Sequence, residues 1–404
     1  MEKMIAVSFV LFVLLASFTF YSFTMLESKT GDVSYIIRST VTFSNKEDEK
    51  FWNLTEEDRT VSLFMNNTWQ TVHLINHSYP LQNITEDDDG NPIAVLQFQS
   101  ELNPGENISY SVTYQVLSKS RSLPTITEEN SGALENIAMN LRKKYCKADN
   151  TWQIENQMIR EQAHAIAGNE TNVLKIVKEF IEWIWDNIDY PFPSEPHKVL
   201  HEVPLYPNQT LHYREGDCDD QAILLVTFCR ILGIPSYLQI GCIYLPSQYS
   251  NETSWDGHVT NVARQIGWHG WAIVYIPPWG WLPVDLTYPK GGFSNPLNAI
   301  KTAVVSDTRT IQYMNISERD YVASSWAYRD FITENGFYIY AEDEMIWTSR
   351  QNLWEIIVER WVQRILIIIV VTTCVIIVVY TYVSRAEKMR LKETGNAPEF
   401  IDSH

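Results

Sequence analysis

The 404-residue sequence predicts an α+β protein: a β-rich segment, then a core of mixed helices and strands, with an apolar helix near each end. Three observations predict it. Residues 33–116 alternate apolar and polar side chains, as in Val61, Leu63 and Met65 or Tyr110, Val112, Tyr114 and Val116. Period two with one polar face marks half-buried antiparallel strands. From residue 170 onward the period lengthens to that of a helix, with Leu174, Val177, Ile181, Ile184 and Ile188 on one stripe. Two runs, 4–26 and 365–383, carry no charge, and at 1.5 Å per residue each spans a hydrocarbon core of about 30 Å.

The first run follows Lys3 and is longer than the 7–15-residue apolar stretch of a signal peptide. With no clear A-x-A cleavage site it reads as a transmembrane anchor, or uncleaved signal. Beyond the second run lie Arg385, Lys388, Arg390 and Lys392, which mark that side as cytoplasmic. Both termini then face the cytoplasm, and the region between the two spans lies outside the cell membrane. Asn-x-Ser/Thr sequons support this placement. They occur at Asn53, Asn66, Asn76, Asn83, Asn107, Asn169, Asn208, Asn251 and Asn315, all between the spans. Roughly three or four would arise by chance, so the surplus favours a glycosylated, extracytoplasmic domain.

The β-rich part, 27–120, is expected to be a small β-sandwich. Asp89-Gly90 and Pro104-Gly105 supply its turns. The acidic run Glu86 to Asp89 lacks the spaced ligand pattern of a calcium loop and reads as a solvated hairpin tip. Residues 118–130, polar and carrying Pro124, read as a linker, and Asn169 and Thr171 as cap candidates for the helix that follows. A second helix covers 218–232, stopped by Gly233-Ile234-Pro235. A strand at 237–244, a polar loop at 246–257, strands at 268–276 and 281–287, and one more at 337–346 complete the pattern.

A net charge of −18 argues against a nucleic-acid partner. The four cysteines between the spans, Cys146, Cys218, Cys229 and Cys242, allow two disulfides in three connectivities. Cys218 and Cys229 cannot pair within one straight helix, where they stand about 16 Å apart. No CxxC or His spacing suggests a metal site, and no cofactor is called for.

Three segments carry chemistry together: Gly216 to Asp220, Trp268 to Trp271, and Gly280 to Thr287. Cys218 at a helix start has a macrodipole favouring its thiolate. His269 on a strand can take its proton, and Asp285 on the next strand can orient the imidazole. Asp217, Asp219 and Asp220 oppose this by raising the thiol pKa. A three-residue hairpin loop at 276–278 would place His269 opposite Asp285. His258 is a rival base without strand periodicity. His197, His201 and His212 lead toward Cys218 and would line the cleft, while Trp268, Trp271, Trp279 and Trp281 would divide between core and cleft wall.

GDCDDQAILLVTFCRILGIPSY, WHGWAIVYIPPWGWLPVDLT and the upstream helix FIEWIWDNIDY together resemble the transglutaminase-like superfamily of papain-type folds. The resemblance covers roughly 125–302. It implies Cys218 as nucleophile, His269 as base and Asp285 as orienter; where the family often has His-Ala-Trp, this chain has His269-Gly270-Trp271. It is similar to membrane-bound, archaeal members with a preceding β-sandwich. The expected order is therefore anchor 4–26, β-sandwich 27–120, transglutaminase-like domain 125–302, β-containing extension and stalk 303–364, transmembrane helix 365–383 and cytoplasmic tail 384–404. The expected activity is cleavage or transfer at amide bonds through a thioester, as peptidase, amidase or acyltransferase. Its substrate would be a protein, peptide or cell-envelope polymer. Calcium dependence is not implied. The alternative is a non-catalytic surface module that binds envelope polymer with the same fold.

Overall fold

The structure is a computed structural model that describes residues 32–148, 151–192, 202–288 and 295–348. Both expected membrane spans, and the tail after the second, lie outside the described residues. Among the described residues no helix is long and apolar enough to cross a membrane.

Among the described residues, thirteen strands and seven α-helices follow in chain order. The first eight strands are β1 (Val33–Asn45), β2 (Trp52–Asn53), β3 (Thr60–Ser62), β4 (Gln70–His77), β5 (Leu81–Glu86), β6 (Pro92–Leu96), β7 (Glu101–Leu102) and β8 (Asn107–Ser118). Helices α1 (Met139–Tyr145), α2 (Gln157–Ala167), α3 (Val173–Asn187), α4 (Pro207–Tyr213) and α5 (Cys218–Ile231) come next. Then come β9 (Ser236–Ser254), β10 (Val259–Ile276), β11 (Gly280–Val284), α6 (Asn298–Lys301), β12 (Thr310–Ile316), α7 (Tyr321–Glu334) and β13 (Phe337–Thr348).

The N-terminal strands do not form a separate sandwich. β1, β8 and β4 belong to one eight-stranded sheet of order β12-β9-β10-β13-β1-β8-β4, with β11 paired to β10. β13 is the splice, running antiparallel to β1 and parallel to the first part of β10. Local alternation predicts a strand but not its partner, so a neighbour some 300 residues away in sequence was invisible to it. The three-stranded sheet β3-β6-β5 covers the N-terminal half of this large sheet, burying Val61, Phe64, Ala94 and Leu96 against Tyr35, Ile37 and Val112.

Helices cover the other half. α3 begins at Asn172, whose side chain accepts the Lys175 N–H, rather than at Asn169 or Thr171. Its stripe of Leu174, Val177, Ile181 and Ile184 is fully buried. α5 is the central helix, with every residue from Asp220 to Arg230 buried, as expected for a helix apolar all round. Arg230 is accommodated by stacking on Trp152 and donating to the Ser236 and Ser317 carbonyls.

Three further expectations change. The 246–257 loop is mostly strand: β9 continues to Ser254 and pairs with Val259–Arg264. It reads as a loop because that arm carries mainly exposed polar side chains. The acidic tip is docked rather than solvated. Asp89 is side-chain buried, its Oδ1 accepting the Ser317 and Glu318 N–H groups, with Arg319 beside it. The 118–130 segment is pinned, since Arg121 donates to the Val305 and Thr310 carbonyls. Cys146, Cys218, Cys229 and Cys242 are all free thiols.

Candidate active site

The site occupies a notch in the large sheet. On one side β10 pairs with β9 along most of its length. On the other it pairs with β13 only as far as Arg264 and with β11 only from Ala272. Between these points His269 and Gly270 have no strand on that flank among the described residues. The first turn of α5 fills the gap, and the Gly270 N–H favours the Cys218 thiolate. Gly270 permits this approach. A Cβ there would stand 3.0 Å from Asp219 Cβ and 3.1 Å from Ile240 Cδ1, so this strand face is closely packed.

His269 and Asp285 meet as the sequence predicts, by a slightly different register. The hairpin loop is three residues, 277–279, because Ile276 pairs with Gly280. An odd loop keeps both side chains on one face, but the shift leaves Asp285 diagonal to His269 rather than opposite it. The diagonal is within reach: His269 Nε2 lies 3.1 Å from Asp285 Oδ1 and 3.2 Å from Oδ2. Nε2 therefore donates, and Nδ1 is the nitrogen left to serve as base. Asp285 is side-chain buried. It also accepts from the N–H groups of Thr287, Tyr288 and Val304, at 3.2, 3.0 and 3.1 Å. A carboxylate with this many donors is held in one orientation.

The surroundings of Cys218 pull in two directions. Burial first, and then the Asp217 and Asp219 carboxyls, push the Cys218 thiol well above its ordinary range, while the Gly270 N–H works the other way. Asp217 is itself pushed well up, by burial first and then by the neighbouring Asp219. Asp219 also accepts the Tyr321 hydroxyl at 3.1 Å. Asp220 has a scaffolding role: its Oδ1 accepts the Leu205 N–H and its Oδ2 the Asp217 N–H. Asp217, Cys218 and Asp219 place their ligand atoms within 4.8 Å of one another. The Tyr321 hydroxyl already engages Asp219, and this reads as a charge cluster.

A cavity of about 420 Å³ opens beside the cysteine, lined by Trp185, Asp189, Tyr190, Phe192, Gln221 and Thr287. Gln221 lies one turn beyond Cys218, and Thr287 two residues beyond Asp285. Periodicity placed Trp185 on a helix but could not show that its indole, donating to the Leu286 carbonyl, braces the cleft. Tyr321 had no signal, because its contact depends on α7 returning over α5.

The other candidates fall elsewhere. His258 donates through Nδ1 to the Phe337 carbonyl and stacks on Tyr338. His212 is exposed, and His197 and His201 lie outside the described residues. Trp271 is core, Trp268 is 40 % exposed, and Trp279 and Trp281 pack against buried clusters. Seven sequon asparagines, at 53, 66, 76, 83, 107, 169 and 251, are exposed. Asn208 and Asn315 are half-buried, and Asn315 Oδ1 accepts from Gln239 Nε2.

Residues 160–286 match the model of the transglutaminase-like superfamily, a span that includes Cys218, His269 and Asp285. Among solved structures the chain is similar to a candidate cysteine protease from Cytophaga hutchinsonii. That pair is 15 % identical over 80 % of this chain and 93 % of the other, with a TM-score of 0.47. The periplasmic domain of TgpA from Pseudomonas aeruginosa is 12 % identical over 69 % of this chain and 92 % of the other, at 0.30. Red sea bream transglutaminase is 10 % identical over 65 % and 47 %, at 0.28. At these values no feature of the site rests on the structural likenesses. No curated protein sequence matches the chain.

Proposed function

We propose that this chain is a cysteine enzyme acting on amide bonds, with Cys218 as nucleophile, His269 as general base and then acid, and Asp285 as the residue that positions His269. The observation that carries the reading is the convergence at Gly270: the first turn of α5, which bears Cys218, packs against it, and its neighbour His269 is clamped by a buried Asp285. Because burial and the acidic neighbours push the thiol up, the resting nucleophile is the neutral thiol. His269 Nδ1 takes the thiol proton as the sulfur attacks the carbonyl carbon. The oxyanion is met by the free N–H of Cys218 at the helix start. The imidazolium returns the proton to the leaving amine as the C–N bond breaks. Water or an amine then attacks the thioester and restores the thiol. The free Cys218 thiol removes the disulfide on which a purely structural role for this residue would rest.

The same proposal places the domain outside the cell membrane, between anchors at 4–26 and 365–383, acting on protein, peptide or envelope polymer. The exposed sequon asparagines support that side.

Acylation of the full chain by p-nitrophenyl acetate, followed by mass mapping of the modified residue, tests the assignment. The expected result is His269-dependent acylation at Cys218, slowed roughly 10²- to 10⁴-fold at neutral pH by His269→Ala. Equal rates in the two proteins would remove the catalytic reading.

The acidic flank gives a second expectation. Asp217→Asn removes a carboxyl that disfavours the thiolate and retains a good helix N-cap. Iodoacetamide should therefore alkylate Cys218 faster than in the wild type at a fixed pH, with the pH midpoint displaced downward. A midpoint displaced upward would show that Asp217 instead assists the thiolate.

A further inference from the structure

A second cavity, of about 340 Å³, lies on the face of β10 that carries Gly270. Trp268, two residues before Gly270 and so about 7 Å along the strand, forms one wall. Phe64, Tyr110, Tyr114 and Tyr313 form the others. Phe64 stands 4.8 Å from Tyr313 and 5.0 Å from Tyr114 between ring centroids, and Trp268 stands 5.1 Å from Tyr313. Ile240 belongs to the same wall, and its Cδ1 and Asp219 Cβ approach the same point at Gly270. The cavity thus begins where the turn bearing the nucleophile ends.

Of the residues lining it, Asp343 alone carries a charge. Its carboxylate accepts the Ser39 hydroxyl at 2.5 Å and the Trp268 indole N–H at 2.9 Å. Both donors are neutral, and no cation pairs with Asp343 among the described residues. Burial, the largest cause, pushes this carboxyl above its usual range. A carboxylate withdrawn from water without a cation is costly, and aromatic faces attract cations. A hard metal ion would need about six oxygen ligands, which a single carboxylate among rings does not supply. An ammonium group on an apolar stem satisfies both the carboxylate and the rings.

We propose that this cavity receives the alkylammonium end of a lysine-type side chain, carried by the substrate within a few residues of the amide presented to Cys218. The inference rests on Cys218 being the nucleophile for its link to catalysis, but not for binding. Phe64, Tyr110, Tyr114 and Asp343 all lie outside residues 160–286, so the β-rich segment contributes directly to specificity.

The test is calorimetric titration of the full chain carrying Cys218→Ala with Nα-acetyl-lysine methylamide and with the norleucine analogue, which lacks only the amine. The lysine compound should bind at least about tenfold more tightly, and Asp343→Asn should remove that preference while the melting temperature shows the variant folded. Equal affinities for the two compounds, no binding of either, or a preference that survives Asp343→Asn would each overturn the site. The ester-acylation assay reports separately on Cys218. A lysine preference beside His269-independent acylation keeps the cavity and rejects the catalysis; His269-dependent acylation without the preference does the reverse.

Discussion

Replacing Asp285 with Ala should slow acylation of Cys218 roughly 10³- to 10⁴-fold and destabilise the fold by about 2–4 kcal/mol. Both effects follow from one side chain with no solvent access that receives His269 Nε2 and three backbone N–H groups. Truncation strands all four donors. Water could replace the lost acceptor only if the site opened, so a buried donor pays its full desolvation cost. The catalytic loss has a separate origin: without the carboxylate the imidazole can turn or change tautomer, presenting N–H instead of a lone pair to the thiol. Asp285→Asn separates the two. Its amide oxygen can still accept from Nε2, but its NH₂ then faces the Val304 N–H, so it should recover much of the rate and lose roughly 1–2 kcal/mol. Ester acylation and thermal melting measured on both variants check this. Equal rates in Asp285→Ala and the wild type would show that His269 needs no partner, and the triad would be wrong.

The parts of this site legible from sequence are those set by local chemistry. Gly216 to Asp220 before an apolar helix, and two strands joined through Pro277, Pro278 and Trp279, specify a thiol at a helix start and a hairpin bearing His and Asp. Parity of the loop then puts His269 and Asp285 on one face, even though their register was off by one pair. What stayed hidden depends on pairing across sequence distance. β13 carries no mark saying that it joins β1 to β10, and that splice turns an expected two-domain chain into one continuous sheet. Asp343 shows the same limit. In sequence it is one acid within Ala341 to Glu344; only the fold brings it, half-buried, to the Trp268 indole. The acidic hairpin tip was misread for a related reason. Its carboxylates appear solvated until Asn91 and Asp89 are seen bound to the backbone of Asn315, Ser317 and Glu318.

The position most sensitive to added volume should be Gly241, the residue that pairs with His269 across β9 and β10. A Cβ there would stand 2.5 Å from the outer ring edge of Trp271 and would meet the Ile311 carbonyl oxygen closer still. The ring is fully buried, with its indole N–H on Gln239 Oε1, and the carbonyl belongs to the neighbouring strand β12. Neither can yield as a flexible side-chain tip would. Gly241→Ala should therefore cost about 3 kcal/mol and lower the melting temperature by roughly 6–12 °C. It should also slow Cys218 acylation, because Trp271 is a near neighbour of the His269 ring, at 5.9 Å between centroids, and misplacement by about 1 Å can cost 10²-fold. Gly267→Ala, on the same strand pair, is the control. Its Cβ would meet Leu245 Cδ1 at 2.8 Å, a methyl free to rotate away, and stability should change by less than about 1 kcal/mol. Trp271→Phe combined with Gly241→Ala should not restore stability, since it removes ring volume and leaves the Ile311 carbonyl in place. Rescue by that second change would locate the strain in the indole instead, and the close approach of β9 to β12 would not be what demands glycine.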